Sequence, residues 1–83
     1  MSTPLIRRQC RAARGLLGWS QQKLAEAARI SQATVASFES GMSTPMINNL
    51  LAMKAALEAA GVEFIPENGG GPGVRMKHPV GDD

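Results

Sequence analysis

A short run of small polar side chains carries the most distinctive chemistry of this 83-residue chain. Ser31, Gln32, Thr34 and Ser37 supply hydroxyls and an amide, and Ala33 between them leaves space around these groups. Amides and hydroxyls both donate and accept hydrogen bonds, and base edges in a DNA groove offer the same mixture. The run therefore predicts a surface that reads bases, unless it is merely the solvent-exposed side of a packed helix.

Charge is distributed unevenly along the chain. Residues 1–54 contain seven basic and two acidic side chains, a balance of +5, whereas residues 55–83 contain two basic and five acidic ones, a balance of −3. Such an asymmetry indicates a basic part that meets a polyanion and a remainder that does not. Ordinary solvated charge is the alternative that composition alone leaves open.

Several classes of chemistry lack the residues they need. The single cysteine, Cys10, cannot form an internal disulfide, which is typical of a reducing cytoplasm. The single histidine, His78, lies in a tail rich in glycine and proline, and no group of residues has the spacing of a zinc site. No apolar stretch approaches the ~20 residues of a membrane span. We therefore expect a cytoplasmic protein without cofactor, metal or membrane partner, and not an enzyme.

Paired start and stop residues predict four helices around the polar run. Threonine followed by proline predicts the starts of the first and fourth helices, and a serine predicts the starts of the second and third. A glycine is placed to end the first, third and fourth. The predicted boundaries are Thr3-Pro4 to Gly18, Ser20 with 21–28, Ser31 with 32–40 and Gly41, and Thr44 with 45–60 and Gly61.

Apolar spacing assigns an inward face to the fourth helix. The three methionines near it, Met42, Met46 and Met53, are interpreted as gap fillers, because flexible thioether side chains suit irregular spaces. The predicted apolar stripe consists of Ile47, Leu50, Leu51, the stem of Lys54, Leu57 and Ala60.

The second and third helices together predict a helix-turn-helix, because two short amphipathic helices are joined by a tight turn at residues 28–30. The close crossing of such helices needs a small residue, which Ala25 supplies. The faces that pack together need bulky apolar side chains, and these are Leu24, Ile30, Val35 and Phe38.

The stretch RAARGLLGWSQQKLAEAARISQATVASFESGMSTP resembles the phage-repressor and Cro-like (XRE) helix-turn-helix family of bacterial and phage regulators. The resemblance covers about residues 7–60. Its matching positions are Arg14, Ser20, Gln21, Leu24, Ala25, Ser31, Val35, Phe38, Glu39, Gly41 and Pro45. It implies a mainly α fold, a four- to five-helix repressor-like DNA-binding domain with a short C-terminal β-hairpin or strand segment.

The resemblance also implies a function and roles for individual residues. The expected function is a sequence-specific transcriptional regulator that binds double-stranded DNA as a homodimer on an inverted repeat, with the third helix in the major groove. A salt bridge between Arg14 and Glu39 is implied as a structural element. The implied base-reading residues are Gln32, Ala33, Thr34 and Ser37. The expected phosphate contacts are Gln21, Arg11, Ser31, Met42, Ser43 and Thr44.

A protein-interaction module of the same fold, an antitoxin-like or antiactivator-like adaptor, is the alternative function. In either case a regulatory protein is a further potential partner. One residue departs from the family pattern, because Arg29 stands in the turn where the family usually has glycine. That position is typically left-handed, so either the turn differs here or Arg29 accepts strain.

The residues after Gly61 change in character. Residues 62–65 and 74–76 are predicted as two short strands, separated by a glycine- and proline-rich turn. The predicted organisation is a helix-turn-helix domain at 1–61, a β segment at 62–77 and a disordered tail at 78–83. The predicted dimer interface consists of Val62, Phe64, Ile65, Val74 and Met76. A hairpin folded back on its own fourth helix, or a floppy tail, is the alternative.

Overall fold

The computed structural model describes residues 5–78, which form four helices followed by one antiparallel hairpin. This arrangement confirms the predicted mainly α fold with a C-terminal β-hairpin. The elements are α1 (Arg7–Leu17), α2 (Gln21–Ala28), α3 (Gln32–Ser40), α4 (Ile47–Ala59), β1 (Val62–Ile65) and β2 (Gly73–Met76).

The boundaries of α2 and α3 lie where the sequence predicts them. The Ser20 hydroxyl accepts a hydrogen bond from the Lys23 backbone N–H at 3.0 Å, and the Ser31 hydroxyl accepts one from the Thr34 N–H at 3.1 Å. Each bond satisfies an amide that a helix start otherwise leaves unpaired. Gly41 ends α3 in the left-handed conformation, with φ 83°.

The predicted starts of α1 and α4 are wrong. Thr3 and Pro4 lie outside the described residues, and α1 begins only at Arg7, after an extended Ile6. The Ile6 N–H donates to the Gln9 side-chain oxygen at 3.4 Å, so this glutamine replaces the expected threonine cap. The α4 helix begins at Ile47, because Met46 is extended with ψ 152°, which prevents any helix from starting at Pro45.

The core lies between the helices and one face of the hairpin. Val62 is fully buried with Leu24, Val35, Met53 and Leu57. Strand register puts Val62 opposite Met76 and Phe64 opposite Val74, and these side chains pack against the helical core. The Gln9 side-chain amide also donates to the Gly73 carbonyl at 3.1 Å, which fixes β2 on α1. The hairpin and the helices therefore share one core.

The predicted inward face of α4 is wrong at two positions, and two of the methionines are not gap fillers. Ile47 and Leu51 are 60% and 49% exposed, and Met42 and Met46 are 82% and 73% exposed, whereas Met53 is fully buried. Apolar residues surround much of this helix, so their spacing does not distinguish the buried side from the solvent side. Over residues 5–78, no helix is long and apolar enough to cross a membrane.

Candidate nucleic-acid interface

The α2 and α3 helices are held together by a three-residue turn. The Ile30 N–H donates to the Ala25 carbonyl at 3.0 Å, and Arg29 adopts φ 61° and ψ 44°. Ala25 is buried where the helices meet, and Val35 of α3 is fully buried behind it. The family's left-handed turn is therefore kept, and Arg29 adopts the conformation that glycine usually supplies.

The predicted base-reading residues on the solvent side of α3 differ in how far they are exposed and in whether they are already hydrogen-bonded. Gln32 and Ala33 are exposed, whereas Thr34 and Ser37 are half-buried. The Thr34 hydroxyl lies 2.8 Å from the Ser31 hydroxyl, which also caps the helix. Within residues 5–78, the side-chain amide of Gln32 at the first position of the helix forms no hydrogen bond, whereas Ser31 and Thr34 bond to each other.

A shallow groove runs along this face of α3 and the loop that precedes α4. It brings three of the four predicted readers together with Ser43 and Thr44, two of the predicted phosphate contacts, whereas Gln32 does not line it. Asn49 in the first turn of α4 also lines this groove, although the sequence did not predict it as a site residue. The available signal was the pair of asparagines, Asn48 and Asn49, in the first turn of a mostly apolar helix. The groove is lined by Ala33, Thr34, Ser37, Ser43, Thr44, Pro45, Met46 and Asn49.

The structure brings Arg14 and Glu39 together as a bidentate ion pair. Arg14 Nε donates to Glu39 Oε2 at 2.8 Å, and Arg14 Nη2 donates to Glu39 Oε1 at 2.6 Å. Arg14 Nη1 also donates to the Trp19 carbonyl at 2.9 Å. The pair joins α1 to the last turn of α3, so it fixes the orientation of α3 relative to α1.

Two further side chains donate to the same carboxylate. Gln21 Nε2 lies 3.1 Å from Glu39 Oε1, and the Cys10 thiol donates to Glu39 Oε2 at 3.1 Å. Gln21 keeps a second N–H and its carbonyl oxygen for another partner. One carboxylate thus organises α1, α2 and α3, and it holds the residue predicted to contact phosphate at the start of α2.

These contacts change the protonation of the buried groups. Burial alone would raise the pKa of Glu39, but the hydrogen bonds from Arg14, Gln21 and Cys10 outweigh it and lower the pKa. Burial, followed by the bond to Glu39, raises the pKa of the Cys10 thiol well above its ordinary range. At neutral pH the network therefore consists of a carboxylate, a guanidinium and a protonated thiol.

Basic side chains extend from this network along α1. Arg11, predicted to contact phosphate, is exposed, and with Arg14 and Gln21 it lines a second open hollow beside the end of α3. The Arg7 guanidinium lies against Gly41, in the space that a Cβ at that position would occupy. This contact joins residues far apart in the chain, so no local pattern in the sequence indicated it.

The predicted dimer residues occupy different environments. Val62 is fully buried within its own chain and has no surface to offer a partner. Phe64, Val74 and Met76 are half-buried against the core, and Ile65 lies on the opposite face of the hairpin. The hairpin therefore folds back on its own helices. Of the predicted residues, Ile65 is the one whose side of the hairpin points away from that core.

A capped α2, a left-handed turn and an exposed, uncharged α3 start define a helix-turn-helix DNA-binding domain. A family model described as helix-turn-helix matches residues 11–62, more than half of the chain. The chain therefore belongs to the XRE-type helix-turn-helix family of DNA-binding regulators. Comparison with curated proteins gives no match.

In the part of the chain that the structure describes, no three His, Cys, Asp or Glu side chains form a candidate metal site.

Proposed function

We propose that this protein is a sequence-specific transcriptional regulator that binds an inverted-repeat operator as a homodimer, with α3 in the major groove. The observation that carries the proposal is the exposed, uncharged start of α3, beside the groove formed with the loop before α4. A helix with its side chains is about 10–12 Å across, which matches a major groove about 12 Å wide.

Each proposed base contact follows from the chemistry of the side chain. The Gln32 amide can donate and accept at once, which suits the N6 and N7 edge of adenine. The Ala33 methyl suits contact with the methyl group of thymine. Thr34 and Ser37 line the groove farther along α3 and supply hydroxyls toward neighbouring bases.

The proposed phosphate contacts surround α3. Gln21 stands at the start of α2, where free backbone N–H groups and the helix dipole favour an anion. Arg11 adds a positive charge from α1. On the other side of α3, the loop formed by Met42, Ser43 and Thr44 is exposed and approaches the opposite strand through its backbone and hydroxyls.

The proposed homodimer follows from the small size of the reading surface. One recognition helix contacts few base pairs, so two copies on half-sites about 34–36 Å apart give the required specificity. The hairpin is the proposed interface, because its two strands have open edges that a second copy can cover. Ile65 would meet the partner directly, Phe64, Val74 and Met76 would contribute only the surface that their own core leaves uncovered, and Val62 would support them from inside the core.

A second candidate function is a protein-interaction module of the same fold. The exposed apolar side chains of Met42, Met46, Ile47 and Leu51 favour it, because large apolar residues that cluster at a surface mark partner sites. The basic charge of residues 1–54 and the uncharged face of α3 favour DNA instead.

Selection of binding sites from random duplex DNA with the full-length protein tests the proposed function. We expect an enriched inverted repeat with half-sites about one helical turn apart. Enrichment of a single half-site would contradict the dimer but keep the DNA-binding function. Failure to enrich any sequence, with a folded protein, would contradict the proposed function and leave the protein-interaction module.

A further inference from the structure

Arg29 holds a backbone conformation that disfavours its own side chain. Its φ of 61° is positive, and among residues 5–78 every other residue with positive φ is a glycine. In the left-handed region the Cβ atom comes too close to the following carbonyl oxygen, so a residue other than glycine is strained there. The equivalent ends of α1 and α3 use Gly18 and Gly41.

The side chain of Arg29 makes no contact within the described part of the domain that would compensate for this strain. The side chain is exposed, and within residues 5–78 it forms no hydrogen bond or ion pair. Its backbone N–H bonds to the Glu26 carbonyl, as the N–H of a glycine would. The remaining local benefit is a positive charge at the C-terminal end of α2, which the helix dipole favours.

The position of Arg29 gives its charge a second use. The eight residues of α2 span about 12 Å, and the major groove is also about 12 Å wide. Gln21 stands at one end of α2 and Arg29 just past the other, so their separation is close to the width of the groove. Arg29 also precedes Gln32, the first residue of α3, by only three positions.

We propose that Arg29 is a DNA phosphate contact on the groove wall opposite to Gln21, and that the strained turn is kept for this contact. The inference rests on the proposed function and adds a residue to it. A guanidinium binds a phosphate without reading the base, so this contact strengthens binding to all sequences alike. The strain and the contact have opposite effects, so glycine at this position should stabilise the fold and weaken DNA binding.

Three variants separate charge from backbone conformation. Arg29→Gly removes the charge and the strain, Arg29→Ala removes the charge alone, and Arg29→Lys keeps the charge. The measurements are the melting temperature and the affinity for a mixed-sequence duplex of roughly 20 base pairs, long enough for two half-sites.

We expect Arg29→Gly to melt above the wild type and to bind more weakly. Its slope of log affinity against log salt is expected to be smaller by about 0.9. The affinity advantage of the wild type over this variant then shrinks about 3.5-fold between ~50 and ~200 mM salt. Arg29→Ala should lose the same affinity as Arg29→Gly, while Arg29→Lys should keep the wild-type slope.

An unchanged affinity and salt slope in Arg29→Gly, with the wild type bound to the duplex, would overturn the inference and leave the proposed function intact. The inference would also be overturned if Arg29→Lys lost as much affinity as Arg29→Gly, or if Arg29→Ala lost none. In either case the loss of affinity would come from the backbone and not from the charge. A wild-type protein that binds no duplex would overturn the inference and the proposed function together.

Discussion

Arg14 and Glu39 form a bidentate ion pair whose N–O distances are 2.8 and 2.6 Å, although 25 residues separate them in the chain. The side chain of Glu39 is 3% exposed and that of Arg14 is 18% exposed, so the pair lies largely away from water. It connects α1 to the end of the proposed recognition helix. The geometry of the reading surface therefore depends on a contact that never touches DNA.

Removing Arg14 should destabilise the fold. Arg14→Ala leaves the Glu39 carboxylate buried with only Gln21 and Cys10 as donors, and breaking one side of a buried pair costs about 3–5 kcal/mol. The partial exposure of Arg14 places the expected loss near the lower end of that range. We expect the melting temperature, followed by circular dichroism, to fall by more than ~10 °C, since 1 kcal/mol corresponds to about 4–8 °C in a domain this small.

Arg11→Ala is the control for this variant, because Arg11 is an exposed arginine one turn away on the same helix. It should melt within ~2 °C of the wild type, in keeping with the small effects of exposed charges. Equal melting temperatures for Arg14→Ala and the wild type would contradict the structural role of the ion pair.

The lowered pKa of Glu39 makes stability depend on pH in the acid range. The folded protein binds a proton at Glu39 less readily than the unfolded chain does, so the carboxylate stabilises the fold fully above its ordinary pKa of about 4.3. This contribution is lost as the pH falls from there through the folded pKa. We expect the stability difference between the wild type and Glu39→Gln, measured by urea unfolding, to shrink below about pH 4. A difference that stays constant into that range would contradict the assignment.

The Cys10 thiol should be inert in the folded protein. Burial raises its pKa, its S–H donates a hydrogen bond to the Glu39 carboxylate, and it has no accessible surface. Because the thiolate is the nucleophile, we expect alkylation under native conditions only as fast as the domain opens. The same protein in urea is the control and should react at once. Rapid labelling of the native protein would contradict the burial of this residue.

The dimer interface can be tested at two apolar positions, the half-buried Ile65 and the exposed Leu51. Ile65→Glu puts a charge on the outward face of the hairpin, and Leu51→Glu puts one on the exposed side of α4. We expect Ile65→Glu to be monomeric by sedimentation, because the hairpin is the proposed interface, and Leu51→Glu to remain dimeric. The opposite pattern would place the interface on α4, and a monomeric wild type would contradict the dimer.

Local chemistry explains which parts of the fold were predictable. The bounds of α2 and α3 depend on Ser20 and Ser31, whose hydroxyls cap the helix within three residues, so a short window of sequence contains the cause. The predicted start of α4 was wrong because Thr44-Pro45 is compatible with a helix start but does not require one. The backbone of Met46 decides that boundary, and its residue type does not reveal it.

The contacts of the candidate site were predictable only where the family resemblance supplied them. The resemblance implied the pairing of Arg14 with Glu39, but nothing in the sequence indicated the Cys10 thiol on the same carboxylate. The groove residue Asn49 was missed for a related reason. Its place beside Ser37 arises from the packing of α3 and α4, which local patterns do not encode.

Base reading by the start of α3 is tested most directly at Gln32. Gln32 is exposed and, within the described chain, its amide forms no bond that replacement would break in the fold. Gln32→Ala should therefore keep the wild-type melting temperature. Ser40→Ala, at the far end of the same helix, is the matched control and should leave sequence preference unchanged.

The decisive measurement is the affinity of the wild type and Gln32→Ala for the selected operator and for all its single-base variants. We expect Gln32→Ala to lose about 1–3 kcal/mol of discrimination at one position in each half-site, with the ranking of the other positions unchanged. A variant that ranks every base as the wild type does, at equal or uniformly lower affinity, would contradict base reading by the start of α3.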